Sequence, residues 1–181
     1  MNATTNSSVL EPIETGHASR AGKYLTFKLA EEEFAIEVMR VREIMGVQHI
    51  TAVPQTPPSI KGVINLRGKV VPVVDLRLRF GLPEVEYTQR TCIIVVQVSA
   101  GEVMQMGIVV DEVCEVLNLA EADVQDTPRF GQGVSTPYLL GMAKVKGKVK
   151  ILLDINHVLS TQDGEELAEL LNVQIGDRHE D

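Results

Sequence analysis

Residues 62–76, GVINLRGKVVPVVDL, align without a gap on residues 141–155, GMAKVKGKVKILLDI. Gly62/Gly141, Gly68/Gly147, Lys69/Lys148, Val70/Val149 and Asp75/Asp154 are identical pairs. A second pairing, AIEVMRVREI on GIVVDEVCEV, matches Ile36/Ile108, Val38/Val110, Val41/Val113 and Glu43/Glu115. The segments ahead of these, KYLTFKLA and TCIIVVQV, are both strand-like. The repeat makes the chain two copies of one unit, near residues 35–80 and 107–159: strand, strand, strand, loop, hairpin, short helix.

The local patterns fill in that unit. KYLTFKLA alternates Tyr24, Thr26 and Lys28 against Leu25, Phe27 and Leu29, the period of two expected of a half-buried strand. FAIEVMRVREIMGV reads as a strand into Glu37, a helical turn near Met39 to Val41, then another strand. Its apolar set is Phe34, Ile36, Val38, Val41 and Ile44, leaving Glu37, Arg40, Arg42 and Glu43 for solvent or a partner. Pro54, Pro57 and Pro58 mark a loop. TCIIVVQV reads as a strand buried on both faces, and VMQMGIVVDEVCEVLNL as two more strands. DTPRFGQGVSTPY reads as a loop, and DLRLRFG as a brief helix stopped by Gly81 and Pro83. Residues 1–22, rich in Asn, Thr, Ser and Gly, read as a disordered tail. Residues 161–181 form an extension whose EELAELL stretch sets Leu167, Leu170 and Leu171 on one helical face. Short strands with tight turns predict an all-β fold of small barrels, two of them burying a shared seam over residues 23–160.

Composition narrows the function. Hydrophobic residues make up 44% and charged residues 23%, a globular balance. No apolar run reaches the roughly 18–20 residues of a membrane-spanning helix, and no secretion signal is visible, so the expectation is a cytoplasmic protein without membrane insertion. Seventeen basic side chains face twenty-five acidic ones, for a net charge of −8. That balance, with few aromatics, disfavours a nucleic-acid partner, although small β-barrels often bind one. Cys92 and Cys114 lie in apolar runs and read as buried thiols. The histidines sit at no ligand spacing, so neither metal nor cofactor is expected. No nucleophile elbow, phosphate loop or dinucleotide fingerprint occurs, which favours a binding platform over an enzyme.

Four positions look structural. Gly68, and Gly147 in the second copy, supply the backbone conformation of a two-residue hairpin turn. Asp75 and Asp154 end apolar strands ahead of short helices and read as N-caps. Arg67, on the corner beside Gly68, is either a solvated cation or a binding residue; its counterpart is Lys146.

Taken in order, EEFAIEVMRVREI, IKGVINLRGKVVPVVDLR and YLLGMAKVKGKVKILLDINHVL closely resemble the CheW family of bacterial chemotaxis coupling proteins, over about residues 22 to 160. The resemblance implies two five-stranded SH3-like barrels around a shared hydrophobic core. It implies no catalytic activity, but an adaptor between transmembrane chemoreceptors and the histidine kinase CheA in membrane-associated arrays. One barrel would pair with the kinase's regulatory domain, and a groove between the barrels would receive the receptor's cytoplasmic tip. Carried over by motif, Val41, Gly62, Arg67 and Val116 fall to the receptor and Glu43 to the kinase. A sister system controlling pili or gene expression would use the same scaffold. Residues 164–181 lie outside the family core.

Overall fold

The computed structural model describes residues 19–100, 102–128 and 137–159. The first eighteen residues, the EELAELL stretch and most of the DTPRFGQGVSTPY loop lie outside them. In chain order the elements are β1 (Gly22–Leu29), β2 (Glu32–Glu37), a 3-10 turn (Val38–Arg40), β3 (Val41–Gly46), β4 (Ile60–Leu66), β5 (Lys69–Asp75) and α1 (Leu76–Arg79). There follow β6 (Cys92–Ala100), β7 (Glu102–Val110), β8 (Glu112–Leu119), a second 3-10 turn (Glu121–Asp123), β9 (Val124–Gln125), β10 (Leu139–Val145), β11 (Lys148–Leu153) and α2 (Ile155–Val158).

Two sheets hold these strands, in the orders β8-β1-β2-β11-β10-β9 and β3-β6-β7-β5-β4. Under the sequence repeat, β3, β6, β7, β5 and β4 correspond to β8, β1, β2, β11 and β10, so the two sheets are the same five-strand arrangement. The β2–β11 and β5–β7 pairs are parallel and the others antiparallel. The units of sequence repetition are nevertheless not the units of the fold. The second barrel is one continuous stretch, β3 to β7, and it interrupts the first, whose β1 and β2 precede it and whose β8 to β11 follow it.

Period-two alternation divides the apolar side chains among three cores. Tyr24, Ala35, Leu119, Val124, Ala143 and Leu152 fill the first barrel. Ile64, Val71, Val73, Ile93, Val95 and Val109 fill the second. The opposite faces meet in the largest cluster, where Leu25, Phe27, Leu29 and Ile36 of the first barrel pack with Ile94, Val96, Met106, Ile108 and Val110 of the second. Strand β6 is therefore buried on both faces, Ile93 and Val95 in one core, Ile94 and Val96 in the other. Strand β1, expected to be half-buried, instead buries Tyr24, Leu25, Thr26 and Phe27 on both faces, because one face lines the barrel core and the other the seam. Each such side chain contributes about 1.5–3 kcal/mol by leaving water. A row of rings, Phe27, Phe34, Phe80 and Tyr138, continues the seam at centroid spacings of 6.1, 5.8 and 6.0 Å.

The chain crosses between barrels at the 3-10 turn Val38–Arg40 and at Asp111. The second crossing is clamped. Arg77 of α1 donates through Nε and Nη2 to the two carboxylate oxygens of Asp111, each at 2.7 Å. Asp111 also accepts from the Ala30 amide at 2.7 Å and donates its own amide to the Lys28 carbonyl at 3.0 Å. One carboxylate thus joins α1, the β1–β2 turn and the β7–β8 crossover, and the bond to it raises the Arg77 guanidinium further above its usual range.

The structure corrects two further burial expectations, and one device causes both. In β3, Val41 pairs with Val96 and Glu43 with Val95, so Arg42 is an extra residue. At the repeat-equivalent place in β8, Val116 pairs with Leu25 and Val113 with Phe27, so β8 carries one residue too many opposite Thr26. The Thr26 hydroxyl fills this second bulge, donating to the Glu115 carbonyl and accepting from the Glu115 amide, both at 3.0 Å. A bulge flips the strand's phase. Ile44, grouped above with the buried apolar set, is therefore 44% exposed. Cys114, expected to be a buried thiol, is exposed; partial desolvation and then the Glu112 charge push its thiol up. Cys92 is half-buried.

Two more features answer to particular residues. Gly62 and Gly141 adopt φ of 137° and 154°. A Cβ on Gly62 would stand 1.9 Å from the Thr51 carbonyl oxygen, and one on Gly141 would stand 2.6 Å from that of Gln125. Both glycines lie under a neighbouring segment that closes the barrel, Thr51 bridging Val63 in one and Gln125 pairing with Met142 in the other. In the first barrel Lys150, 5% exposed, takes the place that Val71 holds in the second, and its ammonium pairs with Glu33.

Gly62→Ala is expected to cost about 2–4 kcal/mol in urea unfolding, because backbone must move, whereas Gly68→Ala, with open space around it, costs only about 1 kcal/mol for its conformation. Lys150→Met alone is expected to cost about 3–5 kcal/mol by stranding Glu33, and Lys150→Met with Glu33→Leu recovers most of that loss. A double variant as unstable as the single one would show that the charge pair is not what holds this end of the barrel.

Candidate functional site

The two hairpin corners are built alike. Arg67 and Gly68 have φ of 52° and 85°, and Lys146 and Gly147 have 51° and 78°. Left-handed backbone at both central residues is the twist-matched two-residue turn, so the cation beside each glycine is left-handed as well. Gly68 donates its amide to Asn65 Oδ1 at 2.8 Å, which fixes the first corner.

On that corner Arg67 is 76% exposed, and its Nη2 lies 2.9 Å from Oε1 of Glu43, which is 28% exposed. The pair spans the second barrel's closure, because β3 and β4 are the two edges of its sheet. Gln48 donates across the same closure to the Asn65 carbonyl at 3.4 Å. Arg42, the bulge residue, donates from Nε to Gln97 Oε1 at 2.7 Å. Val41 packs half-buried against the seam. Gly62 is buried beneath Thr51 and has no side chain to present.

Val41, Glu43, Gly62 and Arg67 thus belong to one barrel, with Glu43 and Arg67 in contact. Val116 belongs to the other barrel, exposed on its edge strand β8. Sequence reasoning missed Ile44 and Val70, which surface on the second barrel, and Val149, which surfaces on the first. The signal was available in the repeat: Ile44 aligns with Val116, and Val70 with Val149. Each barrel therefore repeats one combination, an exposed aliphatic residue after the bulge, a glutamate next to it, a cation on the hairpin corner and an exposed valine two residues past the glycine.

The capping aspartates lie at the helix starts. Asp75 Oδ1 accepts from the amides of Arg77 at 2.9 Å and Leu78 at 3.4 Å, and Oδ2 accepts from the Tyr87 hydroxyl at 3.3 Å. Burial first, then the Asp75 charge, pushes the Tyr87 phenol well up. Asp154 accepts from the Asn156 amide at 3.1 Å and lies 2.7 Å from His157 Nδ1. Among the described residues no group of His, Cys, Asp and Glu is arranged to hold a metal ion, and no helix is long and apolar enough to cross a membrane.

The two barrels thus share one construction, each with an exposed aliphatic residue on an edge strand and a left-handed cation on its hairpin corner. Residues 23–163 match the family model of the CheW-like domain, and the chain belongs to the CheW family. It is 39% identical over 141 residues to the chemotaxis protein CheW of Klebsiella aerogenes, covering 78% of this chain and 83% of that one. It is 34% identical over 150 residues to the chemotaxis protein CheW of Rhizobium meliloti, covering 82% and 95%. The scaffolding protein TtCheW of Thermoanaerobacter tengcongensis superposes with a TM-score of 0.69 at 32% identity, covering 79% of this chain and 95% of that one.

An exposed ion pair contributes little to folding, so Arg67→His and Glu43→Gln are each expected to change unfolding free energy by less than ~1 kcal/mol. Urea titration of each variant checks this. A larger loss would make the pair a structural closure of the barrel.

Proposed function

We propose that this protein is a non-enzymatic adaptor that couples transmembrane chemoreceptors to the histidine kinase CheA, recruited from the cytoplasm to receptor arrays. The observation that carries the reading is the family match across both barrels, with relatives named as chemotaxis and scaffolding proteins. Val41, Arg67 and Val116 serve the receptor tip and Glu43 the kinase regulatory domain, while Gly62 serves from beneath, by letting the Thr51 segment close over it. The rigid corner matters energetically. A guanidinium held on a two-residue turn and already paired with Glu43 loses little freedom when a partner carboxylate or carbonyl joins it. Because Arg67 and Glu43 share one bond, the two docking events meet at one residue pair.

The test is kinase autophosphorylation with receptor membranes, with and without this protein, beside the Arg67→His variant. Wild type is expected to give receptor-dependent activation, and the folded variant a loss of about tenfold, or ~1.4 kcal/mol of coupling. No activation with a cognate kinase and receptor would overturn the coupling reading. Full activation by Arg67→His would overturn the assignment of Arg67.

A further inference from the structure

The first barrel closes on a very short strand. β9 meets β10 in two residue pairs, Met142 with Gln125 and Ala143 with Val124, and the chain then runs through residues 126–138 before β10 begins. In the second barrel the closing contact is the bridge between Thr51 and Val63, and the return to β4 takes only residues 52–59. A ladder of two pairs on the longer connection holds weakly by itself. Val124 is nevertheless buried in the first barrel's core, so β9 needs support from elsewhere.

The support comes from the residues just ahead of β1. Arg20 lies over Gly141, with Nη1 3.0 Å from where a Cβ on that glycine would stand. Nη1 donates to Asp126 Oδ1 at 2.9 Å and to the Leu140 carbonyl at 3.1 Å. Asp126 follows β9 and Leu140 belongs to β10, so one guanidinium staples the two strands at the end where their ladder stops. The backbone that carries Arg20 is gripped in turn by Glu121, in the 3-10 turn ahead of β9. Glu121 Oε2 accepts from the Ser19 hydroxyl at 3.0 Å and from the amides of Arg20 and Ala21 at 2.9 and 3.2 Å. From the core side, the Tyr24 hydroxyl donates to the Arg20 carbonyl at 2.6 Å. The second barrel is built otherwise. Leu25 pairs with Ile36 as Ile94 pairs with Ile108, so Ile93 stands in the place of Tyr24 and Gln89 in that of Arg20. Residues 19–21 also precede the family-matched stretch.

We propose that Ser19–Ala21 is a strap that locks the first barrel, with Glu121 gripping its backbone and Arg20 stapling β9 to β10. Drawing the strap away removes both bonds of Arg20 at once and leaves β9 on its two residue pairs. The first barrel then opens at the β9 edge, freeing the outer side of β10 and uncovering Val124, while the second barrel stays closed. The strap thus makes the closure of one barrel depend on the chain ahead of β1, and Arg20 is a positioning residue for that closure. The inference is independent of which partners the barrels engage.

The test is native-state hydrogen exchange, followed by NMR in the full chain. In Arg20→Ala the amides of Val124 to Asp126 and of Met142 and Ala143 are expected to exchange about tenfold faster, the change that loss of charge-assisted hydrogen bonds brings. Amides of β6 and of the β4–β5 hairpin keep their wild-type rates. Glu121→Ala, which leaves Arg20 in place but releases its backbone, is expected to speed the same β9 and β10 amides by about threefold or more. Adding Asp126→Ala to Arg20→Ala brings no further change, because the two residues act through one bond. If Arg20→Ala does not fold, Arg20→Lys is read in the same way, since an ammonium does not reproduce the guanidinium fork. Wild-type exchange at β9 and β10 in the Arg20 variant overturns the proposal. Equal acceleration in β6 also overturns it, because Arg20 then supports the whole fold, and wild-type exchange in Glu121→Ala removes the strap from the explanation.

Discussion

Everything in this molecule depends on the double crossing of the chain between barrels. Because β3 to β7 form a complete sheet and interrupt the other one, neither barrel is a free-standing unit on a tether. The largest core lies between them, built from the outer faces of β1, β2, β6 and β7. Each sheet is thin, and a small domain alone buries too little apolar surface to be robust. The seam supplies the missing burial, and Asp111 secures the return crossing by holding α1 and the β1–β2 turn at once. The relative setting of the two barrels is thereby fixed by packing and by a half-buried ion pair, so a ligand that spans both meets a preorganised surface.

Two of the exposed aliphatic residues, Ile44 on β3 and Val116 on β8, lie on edge strands. A bare strand edge invites unselective pairing. Here one edge of each sheet, β3 in one and β8 in the other, carries a bulge at the same repeat position, which bends the strand and breaks the regular ladder. The same bulge turns Ile44 and Val116 outward, so one local irregularity blunts backbone pairing and presents an aliphatic contact. Charge is added next to it, by Glu43 and Arg67 in one barrel.

Much of this was legible from the sequence, for identifiable reasons. The hairpins, the short helices after Asp75 and Asp154, and the strand–turn–strand of residues 34–46 follow from glycine position, capping and local period, all of which act over a few residues. TCIIVVQV showed its double burial through an unbroken apolar run. What escaped depended on partners distant in sequence. Nothing local marks Arg42 or Cys114 as the start of a phase change, because a bulge is defined by the opposing strand. Lys150 reads as one more solvated lysine in an alternating hairpin until β11 is set parallel to β2, which brings in Glu33. Gly62 and Gly141 announced themselves as a repeated pair, but the reason, a carbonyl directly overhead, belongs to tertiary structure. The split of the repeat between barrels was equally hidden, since duplicate segments do not say which copy supplies each neighbour.

The interrupted first barrel also has a consequence for biosynthesis. A ribosome releases β1 and β2 first, yet the strands that flank them in the finished sheet, β8 and β11, emerge last. Every strand of the second barrel has left the tunnel once Val110 emerges, ahead of β8 to β11 of its neighbour, and domains generally fold as units during synthesis. During that interval Leu25, Phe27 and Leu29 have only the newly formed outer face of β6 and β7 to cover them. The seam is therefore an apolar surface that the chain completes before the hairpin's own sheet can close.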